Sequence, residues 1–194
     1  NIDAIAALVH HLDETREAGA ILVFMPGMAE ISALHAALSA GNPRERTLLP
    51  FPLHSSVASA DQLAVFRRPP AGLRKVVIAT NIAETSITID DILYVIDSGR
   101  AKENRYDALN RLPQLIDSWI STANRRQRRG RAGRVQPGEA FYMYTNERSD
   151  AMAPFQVAEM LRVPLHELCL QVQLLPRLLA CSPARLLARS LPRS

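Results

Sequence analysis

The segment Lys75-Val-Val-Ile-Ala-Thr80 sets the architecture, because its interior is continuously apolar over the length of one short strand. Two more runs share this character, Ala20-Ile-Leu-Val-Phe-Met25 and Ile92-Leu-Tyr-Val-Ile-Asp97. Strands that are apolar on both sides are typical of parallel sheets covered by helices on each face. Weaker strand patterns over residues 47–54 and 139–144 extend the predicted sheet.

Helical periodicity fills the intervals between these strands. Apolar residues recur at helical spacing from Ile2 onward, which predicts an amphipathic helix that ends at Gly19. Further helices are predicted over residues 28–38 and over residues 59–66, the second with Ser59 as its N-cap. This alternation of strands and helices predicts an α/β fold in which helices sandwich a parallel sheet.

The segment 100–118 breaks this alternation. Two polar, alternating stretches flank Asp107-Ala-Leu-Asn110, which has the composition of a turn. We therefore predict a protruding antiparallel hairpin here. After it, Ser121 or Thr122 is expected to cap a helix that runs through a cluster of arginines.

The C-terminal part of the chain has a different pattern. After Asn146, short helices are predicted over residues 164–175 and 183–190. We therefore predict one domain over residues 1–150 and the start of a second, helical domain over residues 151–194.

The composition is that of a globular protein with a local excess of positive charge. Of 194 residues, 47% are hydrophobic and 22% charged, which excludes disordered and collagen-like classes. The net charge is +4, and only two cationic residues, Lys75 and Lys102, are lysines. Residues 100–134 hold ten basic and three acidic side chains, so the basic excess is concentrated there. A localised, arginine-rich segment indicates an anionic partner.

Cysteine content and hydropathy bear on the compartment. Cys169 and Cys181 are too few for a disulfide framework and lack zinc-ligand spacing, so no metal site is predicted. We expect a reducing, intracellular compartment, with nucleus and cytoplasm both open. The apolar region 161–191 is interrupted by prolines and charges, so we expect no membrane association.

Three polar clusters follow the predicted strands, at residues 54–56, 80–86 and 127–134. Because ligands of open parallel sheets bind beyond the carboxyl ends of the strands, we expect these clusters at one edge. In the third cluster, spacings of three and four residues predict that Gln127, Arg131 and Arg134 share one helical face. Such a face can orient a water molecule and offset charge on a phosphoryl group during transfer.

Simpler interpretations stand beside this one. The arginine cluster also fits a nuclear-localisation or nonspecific nucleic-acid patch. Residues 80–86 also fit a capped turn between a strand and a helix, and residues 54–56 also fit a loop. Periodicity alone predicts Phe66 as a core residue. The sequence holds no phosphate-cradling G-x-x-x-x-G-K-[ST] loop, since Arg74 and Ala101 precede its two lysines. If the chain acts on a nucleotide, it supplies half of the site.

Taken together, the motifs closely resemble the second RecA-like domain of DEAH/DExH-box ATP-dependent RNA helicases. Residues 21–31 are similar to motif IV of that family, and residues 80–90 with 94–99 are similar to motif V. Residues 127–134, Gln-Arg-Arg-Gly-Arg-Ala-Gly-Arg, resemble motif VI. The resemblance implies a RecA-like sheet with a strand-separating hairpin, and it implies that residues 151–194 begin a winged-helix region.

The resemblance also implies roles for the matching positions. It implies a catalytic role for three residues, Gln127, Arg131 and Arg134. It implies ATP binding by Phe66, Thr88 and Asp90. It implies contacts with the RNA backbone by Ser55, Ser56, Asn81 and Thr85.

The function so implied is that of the C-terminal motor lobe of an RNA-processing helicase. ATP hydrolysis at the interface with an upstream RecA-like lobe of the same polypeptide would drive RNA translocation and unwinding. That lobe would hold Mg²⁺, so this chain is expected to be inactive alone; RNA and protein activators are the expected partners. Two alternatives stay open: a non-catalytic RNA-binding adaptor module with a RecA-like fold, and a DNA translocase of a related type.

Overall fold

The computed structural model describes residues 1–40, 47–57, 59–85, 89–107, 109–110, 112–133, 137–165, 169–170 and 172–173. The helices are α1 (Ile2–Thr15), α2 (Met28–Ser39), α3 (Ser59–Ala64), α4 (Ile82–Thr85), α5 (Thr122–Arg129) and α6 (Asn146–Asp150), with a 3₁₀ turn at Glu159–Leu161. The strands are β1 (Ala20–Phe24), β2 (Leu48–Leu53), β3 (Arg74–Ala79), β4 (Ile92–Asp97), β5 (Arg100–Asp107), β6 (Leu112–Trp119) and β7 (Glu139–Tyr142). The helix predicted over 183–190 lies outside the described residues, as does half of the one predicted over 164–175.

A five-stranded parallel sheet with the order β2-β3-β1-β4-β7 forms the centre of the fold. In the central strand, Leu22 pairs with Val77 on one side and with Val95 on the other. The three apolar runs of the sequence are the three middle strands, and every residue of each is buried. The parallel sheet is therefore confirmed.

The sheet separates two hydrophobic layers. Because neighbouring residues of a strand point to opposite faces, Ile21 and Val23 belong to one layer and Leu22 and Phe24 to the other. Helices α1 and α2 cover the first layer with Ile5, Val9, Leu12, Ile31, Leu34 and Leu38. The second layer is covered by residues of α4 and of the segments after α3 and α5, namely Val65, Ala83 and Ala132. Burying each such Leu or Ile stabilises the fold by roughly 1.5–3 kcal/mol.

The hairpin predicted over residues 100–118 is present as the two-stranded sheet β5-β6. Its turn is organised by the Asp107 carboxylate, which accepts hydrogen bonds from the backbone N–H groups of Leu109 (2.9 Å) and Asn110 (3.2 Å). The side-chain amide of Asn110 donates to the same carboxylate at 2.7 Å. These hydrogen bonds, that of the Asn110 side chain foremost, lower the pKa of Asp107 below its ordinary value.

The chain forms two compact units. One comprises residues 1–103 and 115–156, and the other comprises residues 104–114 and 157–194. Within the second unit, the backbone N–H of Tyr106 donates to the carbonyl of Arg162 at 3.0 Å. The domain boundary at residue 150 and the winged-helix start remain predictions.

Two predicted helix ends were wrong. Helix α1 ends at Thr15 instead of Gly19, because Arg16 already has an extended backbone. Ser59 is the first residue of α3 and not its cap. Among the described residues, no helix is both long and apolar enough to cross a lipid bilayer.

Candidate functional site

The arginine-rich segment is helical only as far as Arg129. Ser121 caps α5, since its hydroxyl accepts a hydrogen bond from the backbone N–H of Asn124 at 3.2 Å. Gly130 ends the helix, and Gly133 has a φ of +75°, a left-handed conformation that favours glycine. Arg131 therefore lies in the turn beyond α5. The prediction that the helix continues through Arg131 was wrong, because Gly130 ends it.

Gln127 and Arg131 nevertheless lie side by side. The Nε of Arg131 is 3.4 Å from the carbonyl oxygen of Gln127, so the guanidinium folds back over the last turn of α5. The carbonyls at the C-terminal end of a helix carry partial negative charge, which favours a cation. Gln127 is exposed and Arg131 is half-buried. Arg134 lies outside the described residues.

The turn after α5 reaches the edge at which the parallel strands begin, which we call the amino edge. The backbone N–H of Gly133 is 3.4 Å from the carbonyl oxygen of Ile92, the first residue of β4. Helix α5 thus crosses the sheet and delivers Arg131 to this edge. The prediction that all three polar clusters share the carboxyl edge holds only in part: Arg128 of the third cluster pairs with Asp97 at the end of β4, whereas the turn after α5 reaches the amino edge.

Two other predicted nucleotide-binding residues lie at the amino edge. Phe66 follows α3, and the carbonyls of its neighbours Val65 and Arg67 accept hydrogen bonds from Lys75, near the start of β3. The Phe66 side chain is 49% exposed, so its prediction as a core residue was wrong. Asp90 is exposed immediately before β4. Thr88 lies outside the described residues.

The predicted RNA-binding residues lie at the opposite edge, where the parallel strands end, which we call the carboxyl edge. Leu53 and Ala79 are paired in register, so the loops after β2 and β3 lie next to each other. These loops present the exposed residues Ser55, Ser56 and Asn81.

The loop after β2 is held by local hydrogen bonds. His54 Nδ1 lies 2.8 Å from Ser56 Oγ and accepts from the Ser56 N–H at 3.1 Å. Gln62 donates to the carbonyls of His54 (3.1 Å) and Val57 (2.7 Å), which ties the loop to α3. The hydroxyls are therefore presented by an ordered turn. Thr85, the remaining predicted residue, is the last residue of α4.

Comparison with known proteins identifies the family. A model of the helicase conserved C-terminal domain matches residues 3–136. The chain is 56% identical over 179 residues to the chloroplastic DExH-box ATP-dependent RNA helicase DExH4 of Arabidopsis thaliana. The chain belongs to the DExH-box helicase family. This match covers 89% of the chain and 12% of the Arabidopsis protein.

Other members of the family agree. The helicase domain is 48% identical over 176 residues to the human ATP-dependent DNA/RNA helicase DHX36, covering 90% of the chain and 18% of that protein. The crystal structure of the Escherichia coli DExH-box NTPase HrpB superimposes on the chain with a TM-score of 0.76 at 35% sequence identity. The match covers 84% of this chain and 20% of the HrpB chain. The RecA-like fold class is thereby confirmed. The chain spans less than a fifth of the length of the Arabidopsis DExH4 and human DHX36 proteins.

A buried ion cluster that the sequence did not reveal joins α5 to the rest of this helicase domain. The Arg128 side chain is completely buried; its Nη1 donates to Asp97 Oδ1 at 2.7 Å and its Nε to Glu84 Oε1 at 2.8 Å. The guanidinium also lies over the ring of Phe24, 4.8 Å from its centroid. Buried charges persist only where they are paired, so Asp97, which ends an apolar run, was the available signal.

Further hydrogen bonds hold the two carboxylates of this cluster. Asn124 donates to the second oxygen of Glu84 at 2.7 Å, and the backbone N–H of Gly99 donates to Asp97 at 2.9 Å. Tyr144 lies 3.4 Å from Asp97 Oδ2; its burial, and then the negative charge of Asp97, raise the pKa of the Tyr144 hydroxyl. The phenol therefore stays protonated and donates. The cluster fixes α5 to α4, which follows the carboxyl-edge loop of β3.

No metal site is evident in the described part of the chain, which contains no group of three His, Cys, Asp or Glu side chains able to hold an ion.

Proposed function

We propose that this domain is the C-terminal motor lobe of an ATP-dependent RNA helicase, which couples ATP hydrolysis to RNA translocation and unwinding. The observation that carries this proposal is the separation of two residue sets. Phe66, Asp90 and Arg131 lie at the amino edge, whereas the serines and Asn81 lie at the carboxyl edge. Helix α5 runs between the two edges.

The amino edge offers groups that fit ATP. An exposed aromatic ring such as that of Phe66 can stack on a base, and the carboxylate of Asp90 can accept hydrogen bonds from a ribose. Gln127 and Arg131 can place a water molecule and offset phosphate charge. By resemblance, Thr88 and Arg134 belong to the same site.

The chain supplies only part of such a site. Its sequence contains no G-x-x-x-x-G-K-[ST] loop to cradle phosphates. We propose that an upstream RecA-like lobe of the full-length protein contributes that loop and the residues that hold Mg²⁺. Catalysis would then require both lobes to close on the nucleotide.

The carboxyl edge offers groups that fit a nucleic-acid backbone. The exposed hydroxyls of Ser55 and Ser56 and the amide of Asn81 can donate to phosphate oxygens. Such contacts carry no base information, which suits an enzyme that moves along RNA of any sequence. Thr85 is proposed for the same role by resemblance.

The test compares two arginine-to-lysine substitutions in the full-length protein. Arg131→Lys keeps the charge and loses the planar fork, so RNA-stimulated kcat should fall by on the order of 10³-fold while RNA affinity stays within a few fold. Arg126→Lys, on the exposed face of α5, is the matched control and should leave kcat close to normal. Wild-type turnover by Arg131→Lys would refute the catalytic role and leave the arginines as a nucleic-acid patch.

A further inference from the structure

We infer that Lys75 is a positioning residue for nucleotide binding, because its buried ammonium fixes the backbone on both sides of Phe66 and joins it to the turn at Asp90 and Asp91. This inference rests on the proposed function, in which Phe66 and Asp90 contact the nucleotide. Lys75 itself is 1% exposed and does not reach the surface.

The ammonium of Lys75 has three acceptors. Its Nζ lies 2.7 Å from the carbonyl oxygen of Val65, 3.1 Å from that of Arg67 and 2.8 Å from Asp91 Oδ1. A protonated lysine has three N–H donors, so each finds one partner. Full satisfaction explains how a charged side chain is tolerated in the interior.

The two carbonyls need this partner because they follow the end of α3. The last carbonyls of a helix have no intrahelical donor. Here the N–H groups of Phe66 and Arg67 donate to the carbonyls of Leu63 (3.3 Å) and Ala64 (3.1 Å), so the carbonyls that follow need another donor. Lys75 therefore acts as a cap supplied by the neighbouring strand β3. With Val65 completely buried beneath it, the Phe66 ring is held outward from a fixed backbone.

A lysine suits this position better than an arginine. The chain uses arginine at all but two of its cationic positions, yet three converging acceptors require a compact point charge and not a planar fork. The neighbouring Arg74 makes different contacts, since it pairs with Asp13 at 3.0 Å and donates to the carbonyl of Leu12 at 3.0 Å, near the end of α1. Arg74 is thus a buried cation, and none of its hydrogen bonds among the described residues reaches Phe66 or its neighbours.

The test measures the KM for ATP and kcat of the full-length protein at saturating RNA. Lys75→Met keeps the apolar stem and removes the ammonium. We expect the KM for ATP to rise about tenfold, within the range of a lost base-stacking contact, while kcat changes less. Arg74→Met is the matched control, which removes a buried cation from the same strand and should leave KM within about twofold of the wild type.

A double substitution separates positioning from general stability. Phe66→Ala alone should raise the KM, and adding Lys75→Met to it should raise the KM little further, because both changes remove one contact. Lys75→Arg should not restore the wild-type KM. Asp91→Asn removes the charge of the carboxylate that pairs with Lys75. It serves as the second variant if Lys75→Met does not fold. Asp91→Asn should also raise the KM for ATP in the wild-type background, and it should leave the KM of the Phe66→Ala variant unchanged.

The outcomes distinguish the two proposals. An unchanged KM in Phe66→Ala would refute the nucleotide-binding role of Phe66 and with it the proposed site. A raised KM in Phe66→Ala, together with an unchanged KM in Lys75→Met or Asp91→Asn, would refute only the inference about Lys75. Independent, additive effects of Lys75→Met and Phe66→Ala would also overturn it.

Discussion

Arg128 and Asp97 form an ion pair of 2.7 Å in which both side chains are completely buried. Glu84 holds the same guanidinium at 2.8 Å, so one cation serves two buried carboxylates from α4 and β4. Arg128 thereby anchors α5 to α4 and β4. Its substitution should therefore affect folding before it affects chemistry.

Arg128→Met should lower the free energy of unfolding of the chain by about 3–5 kcal/mol, because it leaves two buried carboxylates without their cation. Arg126→Met, on the exposed face of the same helix, should change it by no more than about 0.5 kcal/mol. Denaturant-induced unfolding followed by circular dichroism measures both. Equal stability of the two variants would show that the carboxylates find other partners.

The central strands could be predicted because their signal is local. Each middle strand is a continuous apolar run, and the packing that it implies needs only helices on both faces. Arg128 could not be assigned in the same way, because its two partners are 31 and 44 residues away in the chain. No periodicity within residues 127–134 distinguishes the buried arginine from its exposed neighbours.

The arrangement of the candidate site was wrongly predicted at two helix ends. The predicted helix continues through Gly130, whereas in the structure Gly130 ends α5 and Arg131 lies in a turn. Phe66 fitted a core pattern, but the chain leaves α3 before it, so the ring is exposed. Both errors concern helix ends, where capping decides the direction of the chain and propensity alone does not.

The 194-residue chain should show no ATPase activity by itself. Its amino edge can bind a base and ribose and present Arg131, but its sequence has no phosphate loop. Joined to the upstream lobe, it should become an RNA-stimulated ATPase. A phosphate-release assay on the purified chain, with and without RNA, measures this; turnover by the pure chain would contradict the two-lobe site.

Removing the two serine hydroxyls of the carboxyl edge should weaken the binding of RNAs of different sequence to the same extent. Ser55→Ala with Ser56→Ala should reduce the affinity of the full-length protein on the order of tenfold or more, since hydrogen bonds to charged groups are worth about 1.5–3 kcal/mol each. Fluorescence anisotropy with several unrelated RNAs measures it. Thr15→Ala, at the end of α1, is the control and should bind normally. A loss confined to one RNA sequence would indicate base readout instead.

The hairpin turn should persist to lower pH than an ordinary aspartate would allow. The pKa of Asp107 is below its ordinary value of 3.8, so the carboxylate's hydrogen bonds are fully present above that pH and are lost as the pH falls through the lower, folded pKa. The amide resonance of Asn110 in an NMR titration should therefore change with a midpoint below pH 3.8. Asp107→Asn should abolish the transition, and a midpoint at or above 3.8 would contradict the hydrogen-bonded turn.

The turn that carries Arg131 should depend on the left-handed conformation of Gly133. An alanine at φ +75° costs about 1–2 kcal/mol, which the turn can relieve by shifting Arg131 away from its place beside Gln127. Because a displacement of about 1 Å in a catalytic group can cost 10²-fold in rate, Gly133→Ala should lower the RNA-stimulated kcat about tenfold or more. RNA affinity should stay within a few fold, since the carboxyl edge is untouched.

Gly72→Ala is the matched control: Gly72 has a φ of +82° and nothing within 4 Å of an added Cβ, so it bears the same strain away from Arg131. Equal loss of kcat in both variants would show that strain alone lowers activity, whereas a loss confined to Gly133→Ala places the turn in the catalytic machinery.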